Sequence, residues 1–213
     1  MKILAIETTG HFASVALNSR QLMNDTDYSH LQEIVPMCQE ILDAEKTLGK
    51  DLDAIAVSRG PGSFTGIRIG IATAKGLAQI WDKPIVCVPT LDSFAYREST
   101  SGVIVPIFDA RRSQVYAAAF KDQKTLIEAG AYDIEDFRNK LEELIKNENE
   151  VHYFGDGTHL IDKESEGAQE AKQVLTLAEK MFNEGKTDTC YSASPEYLRM
   201  AEAERKLREK QNG

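Results

Sequence analysis

Apolar positions along this 213-residue chain fall into short runs and long periodic stretches, and their order sets the architecture. Short runs rich in β-branched residues and bounded by turn signals read as strands. They lie at Ile3–Glu7, Ala13–Leu17, Asp53–Ser58, Pro84–Val88, Val103–Asp109, Gln114–Phe120, Leu126–Tyr132 and Val151–Phe154, with a further strand expected across Gln21–Tyr28. The first long stretch places Leu31, Ile34, Val35, Cys38, Ile41 and Leu42 on one helical face. Met37 and Ala44 lie off that stripe, which makes the apolar surface wider than one core contact needs. Ser29 and Gln32 form a capping-box pattern at its start, and Pro36 predicts a kink or a late start. The second runs from Gly66 to Trp81 with Arg68 and Lys75 as its only charges. Gly66, Gly70, Ala74 and Ala78 make a ridge of small residues four apart, and a helix apolar nearly all round predicts cover on more than one side. Further helices are expected at Ile134–Lys146 and Ala171–Asn183, an extended segment at Asp188–Pro195, and at Met200–Lys210 a charged, solvated helical tail or a segment ordered only by a partner.

The pattern restarts after Ser99–Gly102. Ile3–Glu7, an apolar strand ending in an acid, is followed by a turn and the return strand Ala13–Leu17; Val103–Asp109 repeats this logic, with the return strand Gln114–Phe120. The repetition predicts a duplicated α/β unit, with lobes at 1–100 and 101–213.

Between the third apolar strand and the second helix lies Gly60-Pro-Gly-Ser-Phe-Thr-Gly66. Glycines there permit positive φ, and a helix N-terminus presents free N–H groups. The loop is either an anion cradle or a tight packing turn. A Walker-type phosphate loop is excluded, because Gly66 is followed by Ile67 where the lysine would stand. Glu7 and Asp109, ending the two opening strands, can hold magnesium or orient a water, or can cap the turns that follow them.

Composition narrows the function. The chain is 42% hydrophobic and 28% charged, with a net charge of -9. It lacks the basic excess that phosphate neutralisation demands, so a nucleic acid is expected to be held by a partner. Cys38, Cys87 and Cys190 form no CxxC pair and are expected to be free thiols. His11, His30, His152 and His159 have no zinc-site spacing, so no bound metal is expected. No hydrolase elbow is present. Neither a signal peptide nor a membrane span is expected, and a cytoplasmic location follows.

Several spaced blocks resemble the TsaB family. They are Ile3-Leu-Ala-Ile-Glu-Thr-Thr9, Gly60 to Gly70, Ala74-Lys-Gly-Leu-Ala78, Asp109-Ala-Arg-Arg112 with Val115-Tyr116, and Pro195-Glu-Tyr-Leu-Arg199. The resemblance implies an α/β actin-like (ASKHA, ribonuclease-H-like) fold with two related lobes, the second reduced. It also implies a role in making threonylcarbamoyladenosine in tRNA, with TsaD as catalytic paralogue and the ATPase TsaE as a further partner. TsaD-like chains carry a His-x-x-x-His metal pair after the Ala-Lys-Gly-Leu-Ala helix, where this chain has Thr90 and Phe94. Neither is a competent ligand for such a metal, so the resemblance is to the non-catalytic paralogue, with no cofactor of its own and ATP and magnesium used by partner subunits.

The two apolar helices resemble those through which TsaB members dock on TsaD. The resemblance thereby offers Leu31, Ile34, Met37, Ile41, Arg68, Ile69, Gly70, Ile71, Ala74, Lys75 and Ala78 as partner-binding residues, for TsaD or for a second copy in a homodimer. Glu7, Thr8, Gly60, Gly62, Ser63 and Asp109 would line a vestigial nucleotide or anion pocket. The competing classes are an ATP-dependent phosphotransferase or ATPase of the same superfold, and a metallopeptidase.

Overall fold

The structure, a computed structural model, describes residues 1–24, 30–97 and 101–198, with only the backbone of 30–32. In chain order the elements are β1 (Ile3–Glu7), β2 (Ser14–Leu17), β3 (Arg20–Met23), α1 (His30–Ala44), β4 (Ala54–Gly60), α2 (Phe64–Trp81), β5 (Ile85–Pro89), the short α3 (Thr90–Ser93), β6 (Val103–Arg111), β7 (Gln114–Lys121), β8 (Lys124–Asp133), α4 (Ile134–Ile145), β9 (Val151–Phe154) and α5 (Ala171–Asn183).

The strands form two sheets, ordered β3-β2-β1-β4-β5 and β8-β7-β6-β9. In each, a three-stranded antiparallel meander carries a parallel strand on its far side: β1 pairs with β4 and β6 with β9. The duplication read from the sequence is thus a duplication of topology, and among the described residues the second sheet has no counterpart of β5. The result is an α/β fold of two topologically related lobes, the second one reduced.

Alternation along the strands sorts the core into layers. Leu4 and Ile6 of β1 face α1 and α2, while Ile3 and Ala5 face the opposite way onto α5. In the second sheet Val103, Val105 and Ile107 pack against Phe137 and Leu141 of α4. The other face, with Ile104, Phe108 and Phe120, packs on Leu91, Phe94 and Ala95, so the segment after β5 forms the core between the lobes.

Four expectations need correction. The lobe division at residue 100 fails for the stretch from α5 onward: α5 packs on the first sheet, and Asp188 pairs with Ile85 of β5. Helical periodicity shows that one face of α5 is buried but not against which sheet. Strand β3 ends at Met23, because Asn24 accepts a 2.7 Å hydrogen bond from the Ala13 N–H through its side chain; residues 25–29 lie outside the described part, as does the Ser29 cap. Helix α1 runs through Pro36, whose ring sits on the exposed side. Asp188–Pro195 is interrupted by a turn in which the Thr189 and Ser192 hydroxyls accept and donate locally. The tail from 199 onward and the boundary residues 98–100 lie outside the described residues. No described helix is long and apolar enough to cross a membrane.

Candidate functional site

The glycine loop passes over the end of β1. Gly60 has φ of 115° and Gly62 of 154°, values that disfavour any side chain, and the Gly60–Pro61 peptide is cis. A Cβ on Gly62 would stand 2.7 Å from the Thr9 carbonyl oxygen. Ser63 caps α2, its hydroxyl accepting from the Gly66 N–H at 3.3 Å. The helix therefore starts at Phe64, two residues before the sequence pattern suggests. Three of the loop's N–H donors are engaged within the protein: Ser63 N–H on the Thr9 carbonyl at 2.8 Å, Gly60 N–H on the Thr90 hydroxyl at 3.2 Å, and Gly66 N–H on the Ser63 cap at 3.3 Å. These three bonds are those of a tight packing turn.

The pocket expected of Glu7, Thr8, Gly60, Gly62, Ser63 and Asp109 is split. Gly62, Ser63 and Asp109 line an open cleft of about 370 Å³ between the lobes, together with Phe108, Asp156 and Gln169. Glu7, Thr8 and Gly60 are buried beneath it. Glu7 accepts hydrogen bonds from the Thr9 N–H, the Ser58 hydroxyl and, at 2.6 Å, the Thr9 hydroxyl. Burial pushes its carboxyl above the usual carboxylate range, against those bonds, which act to lower it. It is a turn-closing group sealed from any ligand in the cleft. Asp109 instead accepts from the Arg111 N–H at 2.6 Å and pairs with the exposed Arg111 guanidinium at 3.0 Å; its own N–H donates to Asp156. Phe108, Asp156 and Gln169 were not foreseen as lining. The Gly155-Asp156-Gly157 turn was visible, but nothing in it said that it repeats the glycine loop of the first lobe.

The two apolar helices bury most of the residues expected to meet a partner. Ile34, Met37 and Ile41 of α1 and Ile71, Ala74 and Ala78 of α2 lie in the first lobe's core, and Gly70 is buried beside them. The small-residue ridge faces the sheet: a Cβ on Gly66 would overlap the Thr8 carbonyl oxygen, and one on Gly70 would strike the Thr8 hydroxyl and stand 3.2 Å from Val57. Close approach to Thr8, just past β1, and to β4, not to an external helix, explains those glycines. The Leu31 side chain lies outside the described residues. Of the expected set, Arg68 is exposed and Ile69 and Lys75 half-buried.

What α2 turns outward is a second apolar face. Phe64 is 46% and Ile80 75% exposed, Ala72 is exposed, and a shallow groove of about 390 Å³ is lined by Phe64, Thr65, Arg68, Ile69, Ala72 and Thr73. Val35 of the neighbouring α1 is also 51% exposed. At the positions where TsaD-like chains carry histidines, Thr90 is fully buried against Gly60, and Phe94 packs at 5.8 and 5.7 Å from the Phe108 and Phe154 rings. Among the described residues no group of three or more His, Cys, Asp or Glu converges as for a metal. Cys38 and Cys87 are buried free thiols that burial pushes up to about 12; Cys190 is half-buried.

Comparison with known proteins places this arrangement. The family model described as TsaD, tRNA N6-adenosine threonylcarbamoyltransferase, matches residues 24–207. The tRNA threonylcarbamoyladenosine biosynthesis protein TsaB of Escherichia coli is 34% identical, covering 97% of this chain and 98% of that protein. TsaB of Bacillus subtilis is 32% identical over 99% and 100%. The solved structure of YeaZ from Pseudomonas aeruginosa superposes with a TM-score of 0.71 at 25% identity, covering 92% of this chain and 99% of that one. On near-full-length identity to curated members, the chain belongs to the TsaB family of tRNA threonylcarbamoyladenosine biosynthesis proteins.

Proposed function

We propose that this chain is a non-catalytic scaffold and activating subunit in tRNA N6-threonylcarbamoyladenosine synthesis, holding a TsaD-type catalytic paralogue through the outward face of α2. That face is the observation that carries the reading. A helix whose inner side already fills the core also exposes Phe64, Ala72 and Ile80, with only Arg68 and Lys75 as charges along its length. An exposed apolar strip rimmed by a few charges has the make-up of a protein interface. The curated relatives are named for this pathway, and the matching family model is described as the transferase itself. Thr90 and Phe94, spent on packing, leave the metal chemistry to the paralogue. ATP and magnesium are then used by partner subunits, the TsaE ATPase among them. The tRNA is reached only through the complex, in keeping with a net charge of -9. Without its partner, the same face is open to a second copy of the chain.

Ala72→Glu tests this. Ala72 is exposed, so the fold is expected to persist, while association with TsaD in gel filtration or calorimetry falls by about tenfold or more, as a charge is buried at an apolar contact. Undiminished association would remove the α2 face from the interface. Large substitutions at Gly70 or Ala74 do not discriminate, since they disrupt the core first.

The inter-lobe cleft favours one alternative, an ATP-dependent phosphotransferase in which Asp109 and Asp156 hold magnesium. Calorimetry of the isolated chain with Mg-ATP separates the two: tight binding with turnover supports the enzyme, and no heat supports the scaffold.

A further inference from the structure

The chain enters the second lobe just before β6 and leaves it along residues 162–170, and one histidine is tied to both crossings. His152 of β9 sits between two carboxylates. Its Nδ1 lies 2.7 Å from Glu166 Oε2, on the returning segment. Its Nε2 lies 3.3 Å from Glu150 Oε1, just ahead of β9, and has no exposed surface. Glu150 in turn accepts a 2.6 Å hydrogen bond from the Ser101 hydroxyl on the entering crossing, and the Val103 N–H donates to its carbonyl at 3.0 Å. Glu166 joins the returning segment to the edge of the sheet. Its N–H donates to the Tyr153 carbonyl at 2.8 Å, and its Oε1 accepts from the Tyr153 N–H at 3.3 Å. The Gly155 N–H donates to the Gly167 carbonyl at 2.9 Å. Past Gly167 the same segment fastens to the first lobe, where Gln169 donates to the Thr9 hydroxyl at 3.4 Å and the Ala171 N–H to the Ser14 hydroxyl at 2.9 Å.

A neutral imidazole carries one N–H and one bare lone pair. Both nitrogens of His152 face carboxylate oxygens, so a neutral ring sets its lone pair against one of them in either tautomer. Only the imidazolium offers an N–H to each side. The Glu166 bond first, and Glu150 after it, raise the ring above its ordinary value of 6.5 against the cost of burial. Among the described residues these two carboxylates are the charges acting on the ring. The adjoining β6 meets it with Ile104. Lys163 lies over the Tyr153 ring, on the other face of β9. Arg97 is taken up by the Phe154 ring, the Ala168 carbonyl and Glu170.

We propose that His152 is a pH-sensitive clamp at the junction of the lobes: as imidazolium it holds the entering crossing at Ser101 and the returning segment at Glu166 together, and as a neutral ring it lets the returning segment loosen from β9. The ring's folded value is raised, so the clamp is fully closed below the ordinary value and opens as pH rises through the folded one. Loosening reaches the inter-lobe cleft through Gln169, three residues after Glu166, which lines that cleft. The outward face of α2 plays no part.

Amide exchange followed by NMR on the full chain, corrected for the intrinsic change of exchange rate with pH, tests the clamp. Protection at the Glu166 and Gly155 amides is expected to fall about fivefold between roughly pH 6 and roughly pH 8, the size of a partly exposed charge-assisted contact, while Ala56 in the first sheet holds steady. His152→Asn keeps a side-chain N–H for Glu166 but does not titrate, and should make that protection independent of pH. Glu166→Gln should lower the pH at which the His152 ring protons titrate, read in the same spectra. His159→Asn, exposed on the 3₁₀ turn after β9, should leave both readouts unchanged. A flat profile in the parent, a pH dependence that survives His152→Asn, an equal fall at Ala56, or a ring titration indifferent to Glu166→Gln would each overturn the clamp. The last of these decides even where His152→Asn fails to fold.

Discussion

Strands β1 and β6 hold the same place in their sheets, each between an antiparallel neighbour and a parallel one, and each brings an acid to the same end. Glu7 is fully buried and saturated by Thr9 and Ser58. Asp109 lines the cleft and is matched by an exposed arginine. The difference lies in what covers the strand end. Over β1 the glycine loop feeds an 18-residue helix that packs down on Thr8, and Gln169 closes in beside Gly10 and Thr9. Over β6 the equivalent Gly155-Asp156-Gly157 turn feeds only a single 3₁₀ turn, Thr158–Ile161, and among the described residues no fifth strand follows. One local pattern therefore yields a core group in one lobe and a cleft group in the other, and the lid decides which.

The sharpest way to break this comparison is to disturb the lids. In Gly66→Ala the new methyl overlaps the Thr8 backbone carbonyl just past the end of β1, beneath a long helix that cannot shift alone. We expect a loss of about 3 kcal/mol or more in urea unfolding. In Gly157→Ala the methyl meets the Phe108 carbonyl carbon at 2.7 Å and the Asp109 nitrogen at 2.8 Å, but the element above is one turn long and can give. About 1–2 kcal/mol is expected there. Equal losses would mean that the second lobe's end is closed as rigidly as the first, and that lid length does not explain the two acids.

The same contrast marks what was legible in the sequence. Strands were readable because alternation specifies two faces, and Leu4 and Ile6 against Ile3 and Ala5 show both in use. The restart at Val103 was readable because it repeats a pattern, and it survives as repeated topology. The direction of the α2 ridge was not readable. A helix apolar on all sides says that it is covered broadly, not that its glycines face the sheet while Phe64 and Ile80 face out. Excess apolar residues on α1 suggested an external contact, yet Met37 simply completes the core and Val35 is the residue turned outward. Tyr197 stacking on Phe64 joins segments over a hundred positions apart, and no local pattern encodes it.

Removing each carboxyl sharpens the comparison at a smaller scale. Glu7→Ala strips the acceptor from the Ser58 hydroxyl and the Thr9 N–H inside the protein, each an orphaned buried donor. A loss of about 2–3 kcal/mol is expected, moderated by relief of the buried carboxyl's desolvation. Asp109→Ala removes a pair whose arginine is largely exposed, and about 0.5–1 kcal/mol is expected. Both are read from chemical-denaturation midpoints at constant m. A larger effect at Asp109 than at Glu7 would reverse the assignment of core and cleft.

The finest distinction is in pH. Burial raises the Glu7 carboxyl in the folded state above its ordinary value of 4.5, so between the two values the folded chain holds a proton that the unfolded chain has released. Stability from this group is then fully present below about 4.5 and declines as pH rises through the folded value, since stability falls with pH wherever the native state binds more protons. Glu7→Gln keeps an acceptor oxygen for Thr9 and a donor for Ser58 but cannot ionise. The variant should be within about 1 kcal/mol of the parent at pH 4 and gain on it as pH rises toward neutrality. A Glu7→Gln difference that stays flat from pH 4 to 7 would mean that the first lobe's acid is not sheltered by the lid above it.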